Sequence, residues 1–530
     1  MELHGGQIIG GERSALSGEV FHGVDPSSGE QLNPAYFEAT ADEIDQALRL
    51  AESVFDEFRK TTPGQRGAFL DAIADETEAL GDELLKRASA ETGHPLPRCA
   101  MERDRAVNQA RLFAGFVREG SWVDARIDLG DSGRIPMPKP DVRSLMQPVG
   151  PIAIFGASNF PIAISVLGAD TISAFACGCP VVIKAHPAHP GTCEIAAQAV
   201  IAAALKTGMP AGLFSMVHGK GNAVGEELVR HPATAAAAFT GSLGGGRSLF
   251  ETASNRPIPI PFYAEMGSVN PIFVLPGALA ERGEEIAGEF VGSLTMGVGQ
   301  FCTNPGLVLG LKSEQWDNFS KSAAEKVGEF VPQTMLHAGI HHAFTSGVEE
   351  RKKSSDLHLV GESSRAASVE KSEAACYLFE TNAEGLAANP ELAEELFGPV
   401  STLVKCSEPS DMEAFAKTLS GSLTASVHGT EKDLEEYAGL ISVLEKKAGR
   451  LIFNGYPVGL EVCHSIHHGG PYPATCHSYF TSIGTRCIQR FVRPVCFQDW
   501  PQSALPPELK DENPLEVLRI LDGEYTRDAV

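Results

Sequence analysis

The clearest periodicity in the chain begins at Thr40. Apolar side chains at Ile44, Ala47, Leu48, Ala51, Phe55 and Phe58 recur at helical spacing behind a Thr40-x-x-Glu43 capping box, so an amphipathic core helix is expected there. Helical pattern resumes over 66–90 and 103–118. Trp122 and the run Ile135-Pro136-Met137-Pro138-Lys139-Pro140 then break it, and this stretch reads as a connector or arm. Beyond it the rhythm changes: short apolar runs at 152–155, 181–183, 213–217 and 235–239 alternate with helical stretches ending near Cys177, Leu205 and Val229. Strands alternating with helices in this way predict parallel βαβ units in an open, doubly wound sheet, whose ligands bind outside the carboxyl ends of the strands. A second alternating region runs from Gly267 to about Ala474, followed by a strand and a polar, Pro-containing tail. No internal repeat or low-complexity tract is visible.

Bulk properties narrow the class. A chain of 530 residues, 43% hydrophobic and 21% charged, is expected to fold into two or three packed lobes with room for a buried site. The net charge of -25 repels phosphate backbones and anionic bilayers, so neither nucleic acid nor a membrane is an expected partner. The first residues lack the basic and apolar regions of a secretory signal, and the Ala-rich stretch 195–205 is too short to span a bilayer. Eleven cysteines without metal-ligand spacing point to reduced thiols, a cytoplasmic setting and no bound metal.

The candidate chemistry sits in loops at predicted strand ends. Gly156-Ala157-Ser158-Asn159, Lys184-Ala185-His186, Gly219-Lys220-Gly221 and Gly241-Ser242-Leu243-Gly244-Gly245-Gly246 are rich in residues that let backbone N–H groups approach phosphate, although none matches G-x-G-x-x-G. Cys302 lies in the small-residue turn Gly299-Gln300-Phe301-Cys302-Thr303-Asn304-Pro305. A thiolate there can add to an aldehyde carbonyl, and the thiohemiacetal can lose hydride to become a thioester. Glu265 ends the run Pro261-Phe262-Tyr263-Ala264 and is a candidate general base, its pKa expected to be raised by burial. Asn159 offers a side-chain N–H to an oxyanion.

Together these segments resemble the aldehyde dehydrogenase superfamily over nearly the whole chain. The resemblance is carried by Pro148-Val149-Gly150-Pro151 through Asn159-Phe160-Pro161, Val182-Ile183-Lys184, Phe239-Thr240-Gly241-Ser242, Glu265-Met266-Gly267-Ser268-Val269-Asn270-Pro271, Gly299-Gln300-Phe301-Cys302 and Glu394-Glu395-Leu396-Phe397-Gly398-Pro399. It implies an α/β fold with a Rossmann-like open parallel-sheet cofactor domain (1–133 and 150–266) and an α/β catalytic domain (267–474). A small β oligomerisation arm (134–149 and 475–500) and a C-terminal extension (501–530) complete the expected division. Cys302 is implied as nucleophile, Glu265 as general base, and Asn159 with the Cys302 backbone N–H as oxyanion hole. Lys184 and Glu395 would hold the cofactor riboses, Phe397 would pack near the nicotinamide, and Gly241, Ser242 and Phe155 would line the cofactor groove.

A closer likeness is to a subgroup containing 2-oxoglutarate semialdehyde (2,5-dioxopentanoate) dehydrogenases and an NADP-dependent long-chain aldehyde enzyme. It is carried by Arg111-Leu112-Phe113-Ala114, Val117-Arg118-Glu119-Gly120-Ser121-Trp122, Lys184-Ala185-His186-Pro187-Ala188-His189-Pro190-Gly191-Thr192, Asn454-Gly455-Tyr456-Pro457 and Gly469-Gly470-Pro471-Tyr472-Pro473-Ala474-Thr475. This implies oxidation of such a semialdehyde, or of a fatty aldehyde, by a homodimer or homotetramer. Many NAD-preferring relatives carry an acid three positions after the lysine. Pro187 stands there, so NADP use is expected with NAD accepted, and Lys220 either adds a favourable charge or is a solvated surface lysine. Arg111 is either a basic anchor for a substrate carboxylate or a surface salt bridge. Phe160 would line the substrate tunnel, while His464 and Ser465, with His467, form a candidate substrate loop lacking metal-ligand spacing. Rival readings are a CoA-acylating or phosphorylating reductase, an inactive structural relative and a Cys-dependent esterase. The first two are opposed by Glu265 and by the intact Cys302, Glu265 and Asn159 set.

Overall fold

The computed structural model describes residues 2–530. The expected first helix is Ala41–Phe58, and the capping box closes reciprocally: the Glu43 N–H donates to Thr40 Oγ1 at 3.2 Å and the Thr40 N–H to Glu43 Oε2 at 2.9 Å. The single helical pattern expected over 66–90 is two helices, Pro63–Ala79 and Gly81–Thr92, because Gly81 takes φ 54° between them. Leu96–Glu119 follows as a 24-residue helix ending at Gly120 in the left-handed region.

The first sheet has seven strands. Phe262–Glu265, Ala236–Thr240, Ile152–Phe155, Val181–Lys184 and Phe214–Val217 lie parallel in that spatial order, and Gln7–Ile9 and Glu12–Ser14 add an antiparallel edge. Their inward side chains are almost wholly apolar, as a sheet covered on both faces requires. The chain-order reversal falls between Ile152–Phe155 and Ala236–Thr240, so a crevice opens at their carboxyl ends. The helix expected to follow Phe155 directly begins only at Ala169. Residues 156–168 form an irregular segment that carries Asn159 and Phe160.

A second seven-stranded sheet, mostly parallel, orders His358–Glu362, Tyr377–Asn382, Val400–Cys406, Leu307–Leu311, Ile272–Val274, Ser422–His428 and Ala448–Phe453. A third sheet pairs Val492–Gln498 with Val142–Pro148, and it also takes in Ala125–Asp128, Arg519–Leu521 and Glu524–Thr526, strands outside the expected arm ranges. The tail turns back because the buried Arg143 guanidinium binds Asp141 at 2.8 Å, Asp511 at 2.7 Å and the Leu509 carbonyl at 2.6 Å. Among the described residues no helix is long and apolar enough to cross a membrane, and every cysteine is unpaired.

Candidate active site

Cys302 sits in a turn whose backbone is held under strain. Gly297, Val298 and Gly299 take φ of 56°, 60° and 64° in succession, a conformation a β-branched valine adopts only when its surroundings impose it. Gly299 has no alternative, since a Cβ there would stand 2.4 Å from the Gly398 carbonyl carbon. Asn270 fixes the other side: its buried Nδ2 donates to the carbonyls of Cys302 at 2.9 Å and Asn304 at 3.0 Å, while its Oδ1 accepts from Ser268 and Thr424 hydroxyls. Cys302 itself stays partly exposed.

Glu265 ends its strand and reaches this turn from the first sheet. Residues 474–475 press against it, the Met266 N–H donating to the Ala474 carbonyl at 2.8 Å. This brings in two side chains that no sequence motif singled out. His468 Nε2 stands 3.3 Å from the Cys302 sulfur and 3.0 Å from Glu265 Oε1, and the Ser482 hydroxyl donates to Glu265 Oε2. Gly470 allows the approach, because a Cβ on it would meet the Ser422 carbonyl oxygen at 2.2 Å. The His468 N–H is itself tied to Thr481 Oγ1 at 2.8 Å.

The electrostatics correct one expectation. Burial works to raise the Glu265 carboxyl, but the His468 imidazole and hydrogen bonds from His468, Ser482 and Cys302 outweigh it, so its pKa lies below the ordinary carboxylate value rather than above. Burial and the neighbouring Glu265 charge push the Cys302 thiol well above its ordinary value, so the resting sulfur is protonated. Asn159 is buried, and its Nδ2 donates to the Gln300 carbonyl at 2.9 Å, beside the nucleophile's turn. Its own carbonyl accepts from His94 at 3.2 Å. Phe160 meets Phe301 edge-on with centroids 5.4 Å apart, forming an aromatic wall next to the sulfur. Cys302, Glu265, Asn159 and Phe160 are thus brought together.

The cofactor candidates divide. Lys184 projects from its strand end to donate to the Gly219 carbonyl at 2.5 Å, and burial lowers its pKa to about 8, partly offset by the Glu38 charge. Ser242 caps the exposed start of helix Leu243–Ser254, accepting from the Gly245 N–H at 3.2 Å. With Gly241 this leaves a bare helix N-terminus at the crevice, a ready seat for pyrophosphate. Glu395 turns its carboxylate to the Ser268 N–H at 3.3 Å, and Phe397 lies one residue from Gly398, whose carbonyl binds the Asn304 side chain at 3.0 Å. An ammonium, a helix N-terminus and a carboxylate along one crevice fit a dinucleotide. Phe155 is largely buried, its ring 6.3 Å from that of Phe239 and, with the Lys184 stem, facing Gly225. The Lys220 side chain is exposed, and its backbone N–H donates to Glu38 Oε1 at 2.7 Å.

The remaining substrate candidates stand at the surface. Arg111 bridges Asp75 at 3.1 Å and Glu78 at 3.0 Å on the surface, the salt-bridge alternative. His464 and Ser465 are exposed, the His464 ring resting on Phe116 and bonding Thr485, so His468 is the histidine of this stretch that the fold delivers to the sulfur. Donor atoms of Glu265, Cys302 and His468 lie within 4.8 Å of one another, a set that could also take a thiophilic divalent ion.

Residues 14–471 match the aldehyde dehydrogenase family. The chain is 46% identical over 526 residues to alpha-ketoglutaric semialdehyde dehydrogenase 2 of Azospirillum brasilense, covering 99% of this chain and 100% of that protein. It is 42% identical over 527 residues to the alpha-ketoglutaric semialdehyde dehydrogenase of Acinetobacter baylyi, covering 99% of each. Among solved structures, gamma-glutamyl-gamma-aminobutyraldehyde dehydrogenase of Burkholderia cenocepacia superposes with TM-score 0.81 at 22% identity, over 94% of this chain and 97% of that one. An aldehyde dehydrogenase of Pseudomonas syringae, determined with NAD+ and octanal, superposes with TM-score 0.79 at 21% identity over 94% and 98%. At such identities these two likenesses bear on the fold alone, which is the one described above. On the family match and the two full-length relatives, the chain belongs to the aldehyde dehydrogenase family.

Proposed function

We propose that this enzyme oxidises 2-oxoglutarate semialdehyde to 2-oxoglutarate. The reading of the substrate rests on the two relatives of that activity, matched end to end at 46% and 42% identity. The reading of the chemistry rests on one observation: a single imidazole nitrogen lies within hydrogen-bonding reach of both the Cys302 sulfur and the Glu265 carboxylate.

In the first step the Cys302 proton passes through the His468–Glu265 pair and on to solvent, which leaves Glu265 ionised for the later hydrolysis, and the sulfur adds to the aldehyde carbon. The new oxyanion takes a hydrogen bond from Asn159 Nδ2, released from the Gln300 carbonyl, and another from the Cys302 backbone N–H. One such donor is worth about 3 kcal/mol in the transition state. Lys184, Gly241, Ser242, Glu395 and Phe397 would hold a nicotinamide dinucleotide, which would accept the hydride lost from the former aldehyde carbon. Glu265, with His468, then takes a proton from water as it attacks the Cys302 thioester, and the sulfur leaves as carboxylate forms. An ionised, imidazole-paired carboxylate suits that hydrolytic step, which favours water over coenzyme A as the acyl acceptor.

For the cofactor, Pro187 leaves no acid three positions after Lys184, which favours acceptance of NADP. Glu38, facing Lys184, works the other way and keeps NAD in use. The third sheet, with Ile135 and Met137 exposed at its tip, is read as the arm that joins subunits of a homo-oligomer. Initial rates with 2-oxoglutarate semialdehyde, succinic semialdehyde, glutaraldehyde and a fatty aldehyde, each with both cofactors, test the assignment. The highest kcat/KM on the first of these is the expected outcome, and a clear preference for the fatty aldehyde rejects it.

A further inference from the structure

Three arginines surround the nucleophile, and two of them are committed to protein partners. Arg98 binds Glu102 at 3.2 Å and lies between the rings of Phe160 and Phe301, and Arg450 donates to the Pro457 carbonyl at 2.5 Å. Arg105 is different. The Arg450 Nε is also buried without a partner, but among the described residues the Arg105 guanidinium makes no hydrogen bond or ion pair at all, and it stands 5.4 Å from the Phe160 ring centroid with its Nε buried. Burial lowers its pKa, and the Cys302 thiol and the Glu102 and Glu265 carboxylates work against that shift, which puts it in the electrostatic neighbourhood of the reacting atoms. One turn along the same helix, Gln109 Nε2 is likewise buried with no partner. Both residues line a narrow cavity shared with Thr240, Glu265, Ser482 and Asp170.

The nearby carboxylates are each answered elsewhere. Glu102 pairs with Arg98, Asp170 with Arg490 at 2.6 Å, and Glu265 with His468 at 3.0 Å. The Arg105 charge is therefore left over, beside a carboxamide donor that is also left over. Unsatisfied buried donors are costly, and a pair of them beside a nucleophile is accounted for by a ligand that satisfies both. An open-chain 2-oxo acid with a terminal aldehyde has the matching acceptors. Its carboxylate suits a guanidinium fork, its keto oxygen suits an amide N–H, and its five-carbon chain spans only about 5 Å end to end.

We propose that Arg105 and Gln109 hold the 2-oxo-carboxylate end of the substrate and so select it over uncharged aldehydes. This rests on the substrate class given above. The test is the ratio of kcat/KM for 2-oxoglutarate semialdehyde to that for pentanal, measured on the full-length enzyme with its cofactor. Because both rates come from one preparation, loss of folded enzyme cancels from the ratio. In Arg105→Met the ratio is expected to fall about 100-fold, mainly through KM for the semialdehyde, and in Gln109→Leu about tenfold. Arg105→Lys, which keeps the charge and loses the fork, is expected to retain more of the ratio than Arg105→Met. A ratio unchanged in Arg105→Met, while the wild type prefers the semialdehyde, overturns this proposal and leaves the function standing. A wild-type enzyme with no such preference overturns the substrate assignment as well.

Discussion

The Nε2 of His468 lies 3.3 Å from the sulfur of Cys302, although the two residues are 166 positions apart. The same nitrogen is 3.0 Å from Glu265, so one ring atom bridges nucleophile and base. Replacing it with a group that cannot carry a proton, as in His468→Gln, is expected to lower kcat by about 100-fold or more. The pH profile gives a second readout. His468 is the largest of the influences that hold the Glu265 pKa down, so without it burial dominates and that pKa rises. The acid limb of kcat/KM, where activity is lost as pH falls through the Glu265 pKa, should then move to higher pH. A variant with unchanged rate and profile would remove His468 from the proton path.

Asn270 is expected to matter more for holding the nucleophile's turn than for chemistry. Its side chain is 0% exposed and binds the Cys302 and Asn304 carbonyls together with the Ser268 and Thr424 hydroxyls. Asn270→Ala leaves these groups without that partner in the interior, at about 3 kcal/mol of stability. Denaturant unfolding should show that loss, together with reduced kcat. Wild-type stability would contradict the assigned clamp.

Cofactor choice is expected to turn on Glu38. Its carboxylate accepts from the Lys220 N–H and acts on Lys184, where a 2′-phosphate would bring like charge. Glu38→Gln is expected to raise the NADP-to-NAD ratio of kcat/KM about tenfold, the gain from removing one repulsive contact in a partly screened site. A falling ratio would show that Glu38 does not face the ribose.

Arg111 supplies the contrary case. Exposed pairs such as Arg111 with Asp75 and Glu78 contribute little, so Arg111→Ala should cost about 0.5 kcal/mol of stability and leave kcat/KM within about twofold. A large rise in KM for the semialdehyde would restore it as a substrate anchor.

What could be read from the sequence, and what could not, follows from geometry. Glu265 and Asn159 stand at or just beyond strand ends, and Cys302 lies in the turn before the strand Leu307–Leu311, so alternation of apolar runs located them. His468 and Ser482 come from an irregular segment after the second sheet. No periodicity runs through it, and the contacts with Glu265 span 203 and 217 positions. The adjacent His467 and His468 differ in nothing the sequence displays; the Gly469-Gly470 turn was the available signal. Arg111 and Arg105 share a helix, yet six residues place them about 120° apart around its axis, and only the packing decides which face meets the site. The lowered Glu265 pKa was out of reach for the same reason, since burial was foreseeable and the imidazole opposing it was not.

In the proposed reaction the acyl group passes through a thioester on Cys302 whose hydrolysis depends on Glu265. The direct measurement is mass spectrometry of the Glu265→Gln enzyme, quenched in acid after mixing with 2-oxoglutarate semialdehyde and cofactor. The expected result is an acyl adduct on the peptide containing Cys302, formed with a burst of about one reduced cofactor per site and then little turnover. An unmodified Cys302 during turnover, or full turnover by Cys302→Ala, would contradict it.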